Sequence, residues 1–418
     1  MVNSRFLKKS GPRVSVSIDL VLLILLSVHF FYLKPTEAIF GGEATFTYYL
    51  LMLAYLYIRY LGFSIRFGIR KKLIPLAWFV TGILLSFIPA YKFYGQHLYY
   101  SLIAYRHFLL LLTLPVLLSI QPSWTEIKRA VYAFSVLYVF LCVYVTYVAP
   151  GWVVLGDGHL LLDEGEFVHL LPGLQFVSMA FIFSLDEFRN KLSVKRFMPC
   201  AFFFLIIVLL QNRTHLFCSL AVIVMASLFN KSAKTRVYTE VLLLIVTVSM
   251  VILLNQYFIG LWDETVMQLN DPDYNRVKAF MYFTSLENGP LAFLLGNGFI
   301  SGRVNPIMQN LMKEGIFNSD LGLIGMWHQF GILTVLVLLV YMIKGLSHKR
   351  SFIVQAFALT MLLGMLTISY FVEYEYLLWL CFYFYLLGTD EIYSQSMAIE
   401  ESRIVRRALR RYRSISSS

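Results

Sequence analysis

Along this chain, long apolar stretches alternate with short polar segments. Apolar stretches fall at about 18–33, 44–61, 73–90, 98–119, 129–149, 171–185, 198–211, 214–229, 238–260, 320–343, 352–371 and 374–388. A helix needs roughly 20 apolar residues to cross the hydrocarbon layer of a bilayer, and somewhat fewer where interfacial groups end it. Taken as one helix, 198–229 would be far too long, so a break is expected at Asn212-Arg213-Thr214-His215. The pattern predicts an all-α polytopic membrane protein of about 12 transmembrane helices. Residues 1–17 form an N-terminal segment, 18–260 carry helices 1–9, and 261–319 form a long loop. Residues 320–388 carry helices 10–12, and 389–418 form a tail.

Charge orients the spans. Cytoplasmic loops collect Lys and Arg. Segments 1–17, 59–72, 120–129, 186–197, 230–237, 344–351 and 389–418 hold 27 of the 35 basic residues. The alternate segments hold six: Lys34, Lys92, Arg276, Lys278, Arg303 and Lys313. Arg106 and Arg213 lie in or at the edge of spans. This asymmetry places both termini in the cytoplasm and the long late loop outside.

Composition agrees. The chain is 59% apolar and only 14% charged, which no soluble exterior tolerates. The net charge of +11 follows from the inward loops and from the tail arginines, Arg403 to Arg413. These suit anionic lipid headgroups and topology rather than nucleic acid. Cys142, Cys200, Cys218 and Cys381 all lie in apolar stretches without CxxC spacing, so neither a disulfide framework nor a zinc site is read. Arg5, Lys8, Lys9 and Arg13 precede the first apolar run like a signal sequence, but no small-residue cleavage site follows, and an uncleaved first helix is expected.

The chemistry is expected in the outer loops at 150–170 and 261–319, because long structured loops generally carry function. Val277, Phe280, Met281 and Thr284 follow helical spacing, so 275–288 is expected to lie as an amphipathic helix on the membrane surface. Leu295-Gly296-Asn297-Gly298-Phe299 reads as a glycine turn and matches no nucleotide-binding loop. Arg213 beside His215, Arg276 and Arg303 are candidates for a pyrophosphate clamp, since a guanidinium forks onto phosphate oxygens. The ordinary alternative for each is a lipid headgroup contact. Arg106 with His107 inside a span is a further candidate, because ionisable groups there are costly. Acidic candidates are Asp163, Glu164, Glu166, Asp320, Glu373 and Glu375; on outer loops such residues are most often simply solvated. His159 and His169 are too far apart along a loop to suggest metal ligation.

Topology and motifs together resemble the O-antigen polymerase (Wzy) and O-antigen ligase superfamily. Gln211-Asn212-Arg213-Thr214 ahead of an apolar helix resembles that family's SRT/SRG segment. Leu295-Gly296-Asn297-Gly298-Phe299 resembles its lfGxGf turn, and Arg276 is placed like its long-loop arginine. Asn318-Ser319-Asp320-Leu321-Gly322, then Gly331-Ile332, resembles the re-entry into the membrane. The motif resemblance covers roughly 198–343. Where ligases carry a histidine, this chain has Asp320, which disfavours a ligase and resembles the SDxG variant of polymerases.

The resemblance implies a GT-C-like helical bundle in the bacterial inner membrane, working on the periplasmic face. It implies a glycosyltransferase that moves a growing glycan from undecaprenyl pyrophosphate to a lipid-linked repeat unit, inverting and metal-independent, with no cofactor. Arg213 and Arg276 are then expected to stabilise the leaving pyrophosphate, and Asp320 to act as base or, alternatively, to cap a helix. Arg303, His215, Glu166 and Arg106 are expected to bind substrate. Membrane lipids and a chain-length regulator are the expected partners. The alternatives are a lipid-linked oligosaccharide flippase or other transporter, against which no paired broken helices are seen in the sequence, and an O-antigen ligase.

Overall fold

Inside a bilayer no water satisfies backbone N–H and C=O groups, so a spanning chain must satisfy them within helices or a closed barrel. In the computed structural model the described residues are 14–33, 35–36, 39, 42–60, 73–149, 172–210, 212–228, 271, 274–284, 289–300, 306–314, 316, 321–367 and 375–390. They form helices and no β-strand. This is an α-helical membrane protein.

In chain order the helices are α1 (Val14–Ser27), α2 (Gly42–Tyr60), α3 (Ile74–Tyr94), α4 (Leu98–Ala104) and α5 (Thr113–Ile120). Then come α6 (Trp124–Tyr147), α7 (Leu174–Asn190), α8 (Val194–Leu209) and α9 (Arg213–Leu228). Short α10 (Asn275–Thr284), α11 (Gly289–Leu295) and α12 (Pro306–Lys313) precede α13 (Leu323–Gly345), α14 (Phe352–Gly364) and a last helix α15 over 375–390. Among these, α3, α6 and α13 are each long and apolar enough to cross a membrane. A fourth crossing is made if α4 and the stretch Arg106–Ile120 count as one span bent by 57°. Ser15–Ser27, Arg213–Leu228 and Phe352–Gly364 are shorter apolar helices. α8 ends at Leu209 and α9 begins at Arg213, so the apolar run 198–229 is two helices. The expected span at 238–260 lies outside the described residues.

Two helices sit at the centre. Nearly every residue of α7 from Leu174 to Leu185 is buried, as is nearly every residue from Leu377 to Leu387 of α15. Around them α3, α6 and α13 bury only about half of their apolar windows and turn the rest outward. Ile74, Leu84 and Ile88 on α3 and Leu333 and Leu336 on α13 are exposed, the surface that lipid requires and water would penalise. Aromatic pairs fill the interior. Phe176 meets Phe134 edge-on at 5.3 Å and Phe382 at 6.3 Å, while Trp379 meets Phe357 at 5.0 Å.

Side-chain contacts sort the helix ends into two groups. At one end Ser17 reaches the Glu126 carbonyl, Arg59 pairs with Asp19, Lys128 with Glu187 and Arg350 with Asp390, and Trp124 bonds Thr389. All of these residues except Asp19, at the head of the first apolar stretch, come from segments that the charge pattern assigns to the cytoplasm. At the other end lie the start of α9, the end of α14, the glycine turn and α10.

The amphipathic helix forms over Asn275–Thr284. Phe280 and Met281 of its apolar stripe point away from the bundle, while Ala279 and Phe283 are buried against Ile316 and the start of α13.

Candidate functional site

The glycine turn fills a break in α13. At Gly331 the backbone leaves helical geometry (φ 75°, ψ 165°), which frees carbonyls one turn earlier. The Asn297 N–H donates to the His328 carbonyl at 2.7 Å and the Gly298 N–H to the Gln329 carbonyl at 2.9 Å. The approach is so close that only glycine fits. A Cβ on Gly331 would lie 2.1 Å from the Leu294 oxygen, and one on Gly296 would lie 2.3 Å from the Gln329 oxygen.

A second interruption meets the first. The span from Leu98 bends at Tyr105, which separates α4 from a 3-10 stretch, Arg106–Leu112. The Tyr105 ring lies 6.2 Å from Phe299 in the turn and 5.9 Å from Phe330 at the break. Its hydroxyl contacts Ser86 Oγ at 3.2 Å. Gln96 ties the turn down, donating from Nε2 to the Phe299 carbonyl at 3.1 Å and to Ser101 Oγ at 2.9 Å. The sequence showed no paired broken helices at matching positions; among the described residues two helices are interrupted, and both abut the glycine turn.

The start of α9 is the next part of this end. Asn212 caps it, its Oδ1 accepting the His215 N–H at 3.1 Å. Arg213 is exposed at the first helical position. Thr214 bonds Thr367, just past α14, at 2.8 Å. His215 is buried, with its Nδ1 2.8 Å from Ser178 Oγ on α7. From Thr367 the contacts run on. The Leu323 N–H donates to the Met365 carbonyl at 2.6 Å, and His328 on α13 meets Phe283 of α10 edge-on at 4.7 Å. Arg276, exposed, stands in the first turn of that same α10. Two helices at this end therefore begin with an exposed arginine, where the helix dipole and the unbonded N–H groups already favour an anion.

The other predicted residues fare differently. Arg106 opens the 3-10 stretch and is half-buried, and the neighbouring His107 ring is buried 6.2 Å from Phe299. Glu375 is buried at the start of α15. Asp320, Arg303, Glu166, Asp163, Glu164, Glu373, His159 and His169 lie outside the described residues. Arg213 and Arg276 share one end of the bundle. Among the described residues no group of three His, Cys, Asp or Glu side chains comes together as a metal site would require.

Sequence reasoning passed over several residues here. Gln96, Gln175, His328 and Gln329 are buried polar side chains in apolar surroundings. His328 Nδ1, both polar atoms of the Gln329 carboxamide, Gln175 Nε2 and His215 Nε2 have no hydrogen-bond partner among the described residues. The available signal was the placement of a polar pair, His328-Gln329, within the apolar run 320–343, where polar groups are expensive. Lys92 and His97, exposed around the Gly95 elbow, are further polar groups beside the turn.

No protein-family model matches the chain, and no curated protein does. The functional reading therefore rests on the residues and their placement.

Proposed function

We propose that this chain is an integral-membrane polysaccharide polymerase of about twelve transmembrane helices, with both termini cytoplasmic and its site on the periplasmic face of a bacterial inner membrane. One observation carries the reading. Exposed arginines lead two helices, α9 and α10, at the end of the bundle where the glycine turn plugs the break in α13. An anionic group held between membrane and water is what such an end is built to take.

In the reaction, a hydroxyl of a lipid-linked repeat unit attacks the anomeric carbon of the growing glycan. The bond from that carbon to the carrier's pyrophosphate oxygen breaks with inversion, and the hydroxyl gives up its proton. The departing pyrophosphate gains negative charge as the bond breaks. Arg213 and Arg276 stabilise that charge, which is more valuable in a partly dry site than in water. No metal or cofactor has a part in this reading. Asp320 is the proposed base; it precedes Gly322, which packs against the Met365 carbonyl at the same end. His215, held by Ser178, together with Arg106, Arg303 and Glu166, is proposed to bind the sugar units.

The experiment is glycan length in a deletion strain carrying either wild type or Arg213→Ala at matched membrane levels. Wild type should restore long polymer, while the variant should leave mostly single repeat units, consistent with a loss of about 10²–10³ in rate. If deletion removes even the single unit from its final acceptor, polymerisation is the wrong step. A second reading, transport of a lipid-linked oligosaccharide, is favoured by the two interrupted helices, since discontinuous helices form substrate sites in carriers. It predicts repeat units trapped on the cytoplasmic side in the deletion strain. Ligation, the third reading, predicts polymer accumulating on the lipid carrier.

A further inference from the structure

At the basic end of the molecule, a groove of about 560 Å³ opens between α3 and α13. Its walls are apolar, lined by Leu85 of α3 and by Val337 and Val340 of α13, and the groove reaches Leu294 near the glycine turn. Midway along it α3 and α13 come closest at Gly82, where the Thr334 side chain occupies the place a Cβ would take. The lining runs along α13 from Phe330 to the mouth at Lys344, fourteen residues or roughly 20 Å at about 1.5 Å per residue. That is more than half of the roughly 30 Å hydrocarbon layer, deep enough for one chain of a single leaflet.

The mouth is furnished for a headgroup. Trp78 is 56% exposed, and Tyr341 lines the groove one turn from Lys344. Trp and Tyr gather at the membrane–water interface, so these residues mark where the headgroups begin. Lys344 Nζ stands 4.9 Å from the centre of the Tyr341 ring. Three other cations at this end have carboxylate partners: Arg59 pairs with Asp19, Lys128 with Glu187 and Arg350 with Asp390. Lys344 has no carboxylate partner among the described residues, and its charge faces the mouth of an apolar channel.

We propose that this groove seats one anionic phospholipid from the leaflet at the basic end. One hydrocarbon chain lies against Leu85, Val337 and Val340, and the phosphate rests on Lys344 between Trp78 and Tyr341. The concave wall accepts the chain, and the unmatched lysine selects the charge. Neither depends on the polymerase reading.

The test uses the full chain in nanodiscs of equal phosphatidylglycerol and phosphatidylcholine, with retained lipids counted by native mass spectrometry. Wild type should keep one phosphatidylglycerol in preference to phosphatidylcholine. Lys344→Gln should cut that preference about fivefold, as expected for one cation near an anionic surface. Lys344→Arg should keep it. Val337→Trp, which fills the groove, should abolish retention of that lipid altogether. Equal retention of the two lipids by wild type overturns the proposal. So does an effect confined to Lys344→Gln, which makes the lysine a mere surface charge. An effect confined to Val337→Trp overturns the charge selection, and unchanged retention in both variants overturns the site.

Discussion

Single glycines set the geometry at which the interrupted helices meet. Gly331 has φ 75°, and a side chain there would drive into the Leu294 carbonyl, which cannot move without displacing α11. Gly95 also has positive φ, at 63°, yet nothing lies within 4 Å of where its Cβ would be. The two positions separate strain from crowding. Gly95→Ala should lose about 1 kcal/mol of stability, the cost of a left-handed residue alone. Gly331→Ala should lose more than about 2 kcal/mol, because steric displacement adds to the same strain. Thermal unfolding of both variants in one detergent checks the ranking, and equal losses would mean that α11 yields freely. Both glycines are visible in the sequence, but it does not say which one touches a neighbour. Gly331 was singled out only through its motif resemblance, and its break in the helix was not foreseen.

At the scale of elements, two helix starts are specified by local side-chain caps. Ser123 accepts from the Glu126 N–H at 3.2 Å, and Glu126 Oε2 accepts the Ser123 N–H at 2.6 Å, a complete capping box at the head of α6. Ser123→Ala should cost about 1 kcal/mol, seen as a lower unfolding midpoint with no change in glycan length. Asn212 does the same work for α9 with one bond, and there the cap also holds Arg213 at the helix start. Asn212→Ala should therefore lose about 1 kcal/mol and also shorten the polymer, whereas Ser123→Ala should not. Loss of function without loss of stability in Asn212→Ala would show the cap to be a positioning group. Helices form within the apolar stretches that are described because hydrophobic patterning is a local property, but the one at 98–119 is broken at Tyr105. In α10 spacing could not say which residue would meet the bundle; Phe283 found a partner across space in His328.

The whole molecule has two unlike ends, and the proposed topology puts them on opposite sides of the membrane. His97 lies exposed at the elbow beside the glycine turn, and His348 lies exposed between α13 and α14 at the basic end. All four native cysteines are buried, so they should react little with a water-soluble probe. In intact cells a membrane-impermeant maleimide should label His97→Cys and spare His348→Cys, and permeabilisation should expose both. Labelling of His348→Cys alone would invert the topology and remove the periplasmic site.

What the sequence determined by itself was the solvent and the grammar. Its apolar content required lipid, its runs of apolar residues required helices, and its basic segments grouped the ends that later proved adjacent. These are sums over neighbouring residues, and no folding is needed to take them. It also pointed to Arg213, Arg276 and the glycine turn, since each sits in a recognisable local pattern. The tertiary structure alone decided which helices are central, because α7 and α15 are no more apolar than the lipid-facing α3. It decided that two spans are interrupted and that both interruptions meet at one turn. It also buried His328 and Gln329 there and placed Lys344 at the mouth of a groove. Each of these depends on which distant segments share a boundary, and burial and pairing are properties of that boundary rather than of the residues that form it.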